Sequence, residues 1–338
     1  MKKKILSIPF IQFICCAMIV ILHSNNINSF SFNISEGIGN HIVGNIENIF
    51  TIAGHSALPI FFFITGYLYF YECKWSIHTY KTKIISRIHS LVVPYLFWNT
   101  FTVGFYWCIS RIPQIANKLN HMYVPNEIGV IFKAILVSSY TPLWYVRNIF
   151  ILALLSIAIE RILREKYLCW IMIIFLSGIN FFHPFNYYGI VYWLPIYLMG
   201  CACAYYRIGF PRLGKYKWVI RVGYGCIFGL NVAFGGLKFM YIYRIISPLV
   251  LINWLDEIYQ KKKTNKIYYK FTFFVYCTHF LVISIFQKCM VMLLGNKWDI
   301  TLLVYIITPL FCISLLCFIA AIIYNKCPKI WKFVNGGR

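Results

Sequence analysis

The sequence predicts an all-α membrane protein, a bundle of about ten transmembrane helices, and three observations carry that reading. Hydrophobic residues make up 60% of the 338-residue chain and charged residues 12%, with a mean hydropathy of +0.69. So few charges cannot cover the surface of a water-soluble domain of this length. Apolar stretches of roughly 17 to 25 residues, the length that crosses a bilayer as a helix, recur from end to end. Lysine and arginine collect in alternate connecting segments, as the positive-inside rule requires.

The spans fall at about 5–24, 48–71, 90–110, 143–160, 167–184, 188–206, 218–236, 238–255, 270–293 and 300–325. The stretch 127–139 is apolar but short and holds Lys133, so it reads as an interfacial or re-entrant helix and not as an eleventh crossing. With the amino terminus inside, the inside segments carry 3 (Lys2 to Lys4), 4 (Lys74 to Arg87), 3 (Arg161 to Lys166), 5 (Arg207 to Arg221), 5 (Lys261 to Lys270) and 4 (Lys326 to Arg338) cations. That is 24 of the 32, and it places both termini on the cytoplasmic side. Arg111, Lys118, Lys133, Arg147, Lys238, Arg244, Lys288 and Lys297 are divided between outside loops and the spans. The net charge of +23 then follows from topology and from contact with anionic lipid headgroups, without a nucleic-acid role.

The longest outside stretches, 25–47 and 111–141, are too short to bury a core of their own, so a single polytopic domain over 1–338 is expected, with no appended soluble domain. The thirteen cysteines lie mostly inside spans and form no CxxC pair, which suits small apolar packing. No metal-spaced histidine cluster and no Gly-rich phosphate loop occurs, so no metal is expected. The chemistry must sit among the helices.

Polar side chains inside apolar spans are costly unless they have a partner or a task. They are Gln12 and His23 in the first span, His55 in the second, Arg147 in the fourth, Arg244 in the eighth and His279 in the ninth, with Arg87 and His89 at the inner mouth of the third. Eleven positions separate Gln12 from His23, which returns them to within about 20° on one helix face, roughly 16 Å apart along the axis. Arg147 sits about a turn inside the outer end of its span, placed to share an outer cavity with His23. His279 lies deeper and needs a partner or a cavity. Arg244 reads as snorkelling to headgroups and His55 as structural.

The run Ile8-Pro9-Phe10-Ile11-Gln12, the apolar stretch Phe13 to Leu22 and then His23 resemble the first span of the acyltransferase 3 family of multispan membrane enzymes. Members typically show Ile-Asp-x-Leu-Arg and, after ten residues, a histidine. Pro9 stands here for the usual Asp and Gln12 for the usual basic residue. Ala57 to Tyr67, with Thr65-Gly66 for the usual Ser-Gly, resembles the second-span signature. Arg87 to Trp98, Pro142 to Asn148, Trp193 to Gly200 and Phe274 to His279 are similar to later landmarks in the same order.

The resemblance implies a bacterial plasma (inner) membrane enzyme that moves an acyl group, acetyl first among them, from cytosolic acetyl-CoA to a hydroxyl of a surface polysaccharide or lipid-linked saccharide. Acyl transfer needs a base, oxyanion stabilisation and a site for the donor's phosphates. His23, the family's catalytic histidine by resemblance, would be the base. Gln12, Arg87, His89 and Lys83 would meet the cofactor, and Arg147, Trp144 and His279 the substrate or oxyanion. Acyl-CoA, the glycan acceptor and membrane lipids are the expected partners. A polytopic carrier and a membrane polysaccharide-assembly protein without acyl transfer are the competing classes.

Overall fold

The computed structural model describes residues 7–26, 38–116, 119, 122–234, 237–263, 265–295 and 297–337. Lys2 to Lys4, Lys118 and Arg338 lie outside the described residues. Every regular element among the described residues is helical: α1 (Ile8–His23), α2 (Ile38–Gly54), α3 (Ala57–Phe70), α4 (Ile77–Arg87), α5 (Val93–Ile109), α6 (Pro113–Ala116), α7 (Ile128–Val137) and α8 (Trp144–Leu154). The second half holds α9 (Ser156–Arg164), α10 (Lys166–Phe182), α11 (Ile190–Tyr205), α12 (Lys217–Phe234), α13 (Leu237–Lys262), α14 (Thr272–Leu294), α15 (Trp298–Lys326) and α16 (Pro328–Val334). Each expected span therefore lies on one or two helices. Three helical stretches, Ile38–Phe70, Ile267–Leu294 and Trp298–Lys326, are long and apolar enough to cross a membrane by length and composition.

Two of the expected spans are divided, and both breaks have a local cause. A proline cannot donate to the carbonyl four residues back, and its ring crowds that carbonyl. Pro59 stands in this relation to His55, and the chain breaks between α2 and α3 at His55 and Ser56. Pro248 stands in it to Arg244. There α13 continues, because Ser247 Oγ donates to the Arg244 carbonyl at 2.9 Å. The break at Leu155, between α8 and α9, is held by tyrosines that take helix carbonyls. Tyr80 Oη donates to the Leu154 carbonyl at 3.2 Å, and Tyr69 Oη lies 3.5 Å from the Ala153 carbonyl and 3.0 Å from Ser156 Oγ.

The stretch 127–139 becomes α7. It starts beside the end of α5, where the Val124 N–H donates to Ser110 Oγ at 3.0 Å. It stops beside the start of α5, where Tyr95 Oη donates to the Leu136 carbonyl at 2.6 Å and accepts from Ser138 Oγ at 2.8 Å. So α7 runs back along α5 for about 15 Å, short of a crossing. Ser138 ends it in the left-handed region (φ 61°), and α8 resumes at Trp144. The turn between them is anchored to α5 through Thr141 Oγ1, which donates to Asn99 Oδ1 at 2.7 Å.

The centre of the bundle is the contact of α3 with α11. A Cβ on Gly66 would run into the Tyr197 carbonyl oxygen, and one on Gly200 into the Phe63 carbonyl oxygen, so both glycines are needed for the backbones to meet. Phe62 stacks on Trp193 there, with ring centres 4.9 Å apart and planes 4° from parallel. On this frame α1 packs against α2, α3, α14 and α15. Large apolar side chains such as Ile174, Phe175, Leu310 and Phe318 point outward, as a lipid-facing surface requires.

Candidate active site

Helix α1 connects two cavities. Near its start lies a cavity of about 370 Å³ whose wall includes Gln12, Thr65, Arg87, Tyr145, Lys270 and Tyr276. At its end lies a smaller one of about 150 Å³, walled by His23, His55, Pro142, Trp144, Tyr187 and Tyr276 among others. Tyr276 belongs to both walls. Its Oη donates to the Pro142 carbonyl at 2.6 Å, which ties the partition to the turn between α7 and α8.

His23 is the last residue of α1, and the residues after it are sewn to three other helices. Gln287 Nε2 donates to the Ser24 carbonyl at 2.6 Å, the Asn26 N–H donates to Glu47 Oε1 at 3.1 Å, and Asn26 Nδ2 donates to the Thr301 carbonyl at 2.9 Å. The imidazole itself lies 5.3 Å from the His279 ring, centre to centre, and meets the Phe280 ring edge-on at 5.5 Å.

His279 is fully buried. Its Nδ1 faces the Tyr276 carbonyl at 2.8 Å and the Val275 carbonyl at 3.2 Å, and a carbonyl only accepts, so Nδ1 carries the proton. Its Nε2 then presents a lone pair, with no hydrogen-bond partner among the described residues. The His23 ring is its neighbour at 5.3 Å, centre to centre, but no hydrogen bond joins the two; a shift of either ring would be needed to pair them as a base and its orienting group.

The other expected site residues divide. Gln12 and Arg87 share the larger cavity, as residues holding one ligand must. Lys83 does not line it: its Nζ donates to the Tyr69 carbonyl and lies 4.4 Å from the Tyr69 ring centre. His89 is exposed, with Nδ1 at 2.9 Å from the Ile85 carbonyl of the preceding turn, and is likewise outside that wall. Trp144 is on the smaller wall, edge-on to Tyr187 and Tyr188 at 5.4 Å each. Arg147 is not. Its Nη1 donates to the Val137 carbonyl at 3.2 Å and its Nη2 to the Tyr188 carbonyl at 3.4 Å, so it clamps α7 and the loop before α11 onto α8.

Several lining residues escaped the sequence reading. In the sequence Lys270 reads only as a loop cation, and Thr65 only as a departure from Ser. Tyr276 stands three positions before His279, on the same helix face, which was a usable signal. Glu47 reads in the sequence as the edge of an outside loop, yet it is 1% exposed and helps fix the residues that follow His23.

The family model described as an acyltransferase domain, acyltransferase 3, matches residues 5–324. No curated protein and no solved structure matches the chain. The matched region holds both cavities and every helix from α1 to α14, and with it the chain belongs to the acyltransferase 3 family of membrane acyltransferases.

Proposed function

We propose that the protein transfers an acetyl group from cytosolic acetyl-CoA to a hydroxyl of a surface polysaccharide or lipid-linked saccharide. The chain would cross a bacterial plasma membrane about ten times with both termini in the cytoplasm. The observation that supports this most is the position of Tyr276 on the walls of both cavities, because it puts His23 one side chain away from a compartment that holds Arg87, Lys270 and Gln12.

The larger cavity lies toward the inner cations, where Arg87 grips phosphate oxygens through its planar fork. The pantetheine arm would pass Tyr276 to bring its thioester to His23. The acceptor hydroxyl enters the smaller cavity from the other end, where Trp144, Tyr187 and Tyr188 offer ring faces and edges to a sugar. His23 takes the hydroxyl proton as the oxygen attacks the thioester carbon. The carbon–sulfur bond then breaks, and the thiolate leaves with that proton as CoA. His279 Nε2, beside the His23 ring, would accept from its other nitrogen once the rings close up and steady the imidazolium that forms between the two steps.

Radiolabelled acetyl-CoA supplied to membrane vesicles tests the reading. Label is expected in the glycan fraction with the unaltered protein and not with His23→Ala, at equal protein level in the membrane. The broken helix pairs α2–α3 and α8–α9 also suit a carrier, and a carrier would leave the glycan unlabelled in both.

A further inference from the structure

His55 and Arg244 are 189 residues apart in sequence, and both precede a proline by four positions. The structure joins them at 3.2 Å, Arg244 Nη2 to His55 Nδ1. A guanidinium only donates, so Nδ1 of His55 is the acceptor and the single proton of the neutral ring sits on Nε2. Arg244 is itself held in place. It is 7% exposed, its Nη1 donates to Tyr192 Oη at 2.8 Å, and its guanidinium lies 4.6 Å from the Tyr187 ring centre. Two features put this pair in the chemistry. His55 lines the same small cavity as His23, and Arg147, the cation expected to steady an oxyanion, is bound to the carbonyls of Val137 and Tyr188 outside that wall.

We propose that His55 is the oxyanion donor of the transfer step and that Arg244 is the positioning residue that fixes its tautomer. The inference rests on the acyl-transfer reading and deepens it. As the acceptor oxygen bonds to the thioester carbon, the carbonyl electron pair moves onto oxygen and meets the Nε2–H of His55. On collapse the carbonyl re-forms, the carbon–sulfur bond breaks, and the thiolate takes the proton that His23 removed. His55 keeps its own proton throughout, which is why an arginine, and not a carboxylate, suits it as a partner. A carboxylate on Nδ1 would draw the proton there and turn the lone pair of Nε2 toward the oxyanion.

The test uses full-length protein in membrane vesicles with labelled acetyl-CoA, and CoA binding to the purified protein in detergent. His55→Ala is expected to lower the maximal rate by about 10²–10³-fold, the usual cost of one oxyanion donor, with KM for acetyl-CoA within about twofold. His55→Gln, which restores an N–H, recovers about tenfold of that loss, and Arg244→Leu lowers the rate by about tenfold while CoA still binds. A His55→Ala rate within about threefold of the unaltered protein overturns the proposal. So does an equal loss in His55→Ala and His55→Gln that is matched by lost CoA binding, since that is a packing role. If the unaltered protein itself transfers no label, the acyl-transfer reading falls and takes this one with it. Transfer that is lost in His23→Ala and kept in His55→Ala sinks this one alone.

Discussion

The two cavities along α1 differ in size and in chemistry. The larger sets three long charged or amide side chains, Arg87, Lys270 and Gln12, in a wall otherwise built of apolar and aromatic groups such as Phe61, Tyr145 and Phe273, and those three suit the grip of a flexible anion. Among the described residues the smaller has no lysine, arginine or side-chain amide on its wall; its polar groups sit on rings, with Tyr276 bonded to the Pro142 carbonyl, His55 to Arg244, and Trp144 packed against Tyr187. Recognition at one end tolerates looseness, while at the other a displacement of about 1 Å is expensive for the reaction. The difference teaches that side chains of the first kind should move KM when altered, and side chains of the second kind kcat.

The sharpest way to break this comparison is His279→Ala. With its lone pair removed from beside His23, the maximal transfer rate is expected to fall by about 100-fold at nearly constant KM for acetyl-CoA, measured in labelled vesicles. A change in KM alone would mean that His279 serves the donor end. Next is Gly200→Ala, which forces a Cβ against the Phe63 carbonyl and should destabilise the protein by about 2 kcal/mol or more, read as a lower melting temperature in detergent. Because α3 supplies Thr65 to one cavity and Leu58 to the other, this substitution should damage both ends equally.

Arg87→Ala tests the other half of the comparison, with KM for acetyl-CoA expected to rise about tenfold and kcat little changed. The smallest effect is a gain. Gln12→Arg exchanges a neutral hydrogen bond for a charge-assisted one, and should lower that KM by about fivefold. No change would place the donor's phosphates away from Gln12.

Helix positions were legible because apolar runs of bilayer length leave little else to form, and α7 was legible as too short to cross. Pro59 signals the break at His55, but the unbroken hydropathy of the span reads as one continuous helix. The sequence sets Arg147 about a turn inside the end of its span, but which carbonyls it meets depends on α7 folding back along α5, which no local pattern records. Arg244 and His55 show the converse. Each alone is an isolated polar group with a dull explanation, and only the packing of α13 beside α3 makes them a pair. Gln12 and His23 were the readable part, since one helix carries both and its period fixes their relation.

Tyr276 has a further consequence for the cell that houses the protein. A passage open from one face of a bilayer to the other would leak protons and ions and drain the potential that the membrane maintains. On the proposed reading, one phenol ring shared by both compartments would let a slender chain bearing its thioester past while keeping ions out, so cargo would cross the barrier's midline with the electrical seal intact.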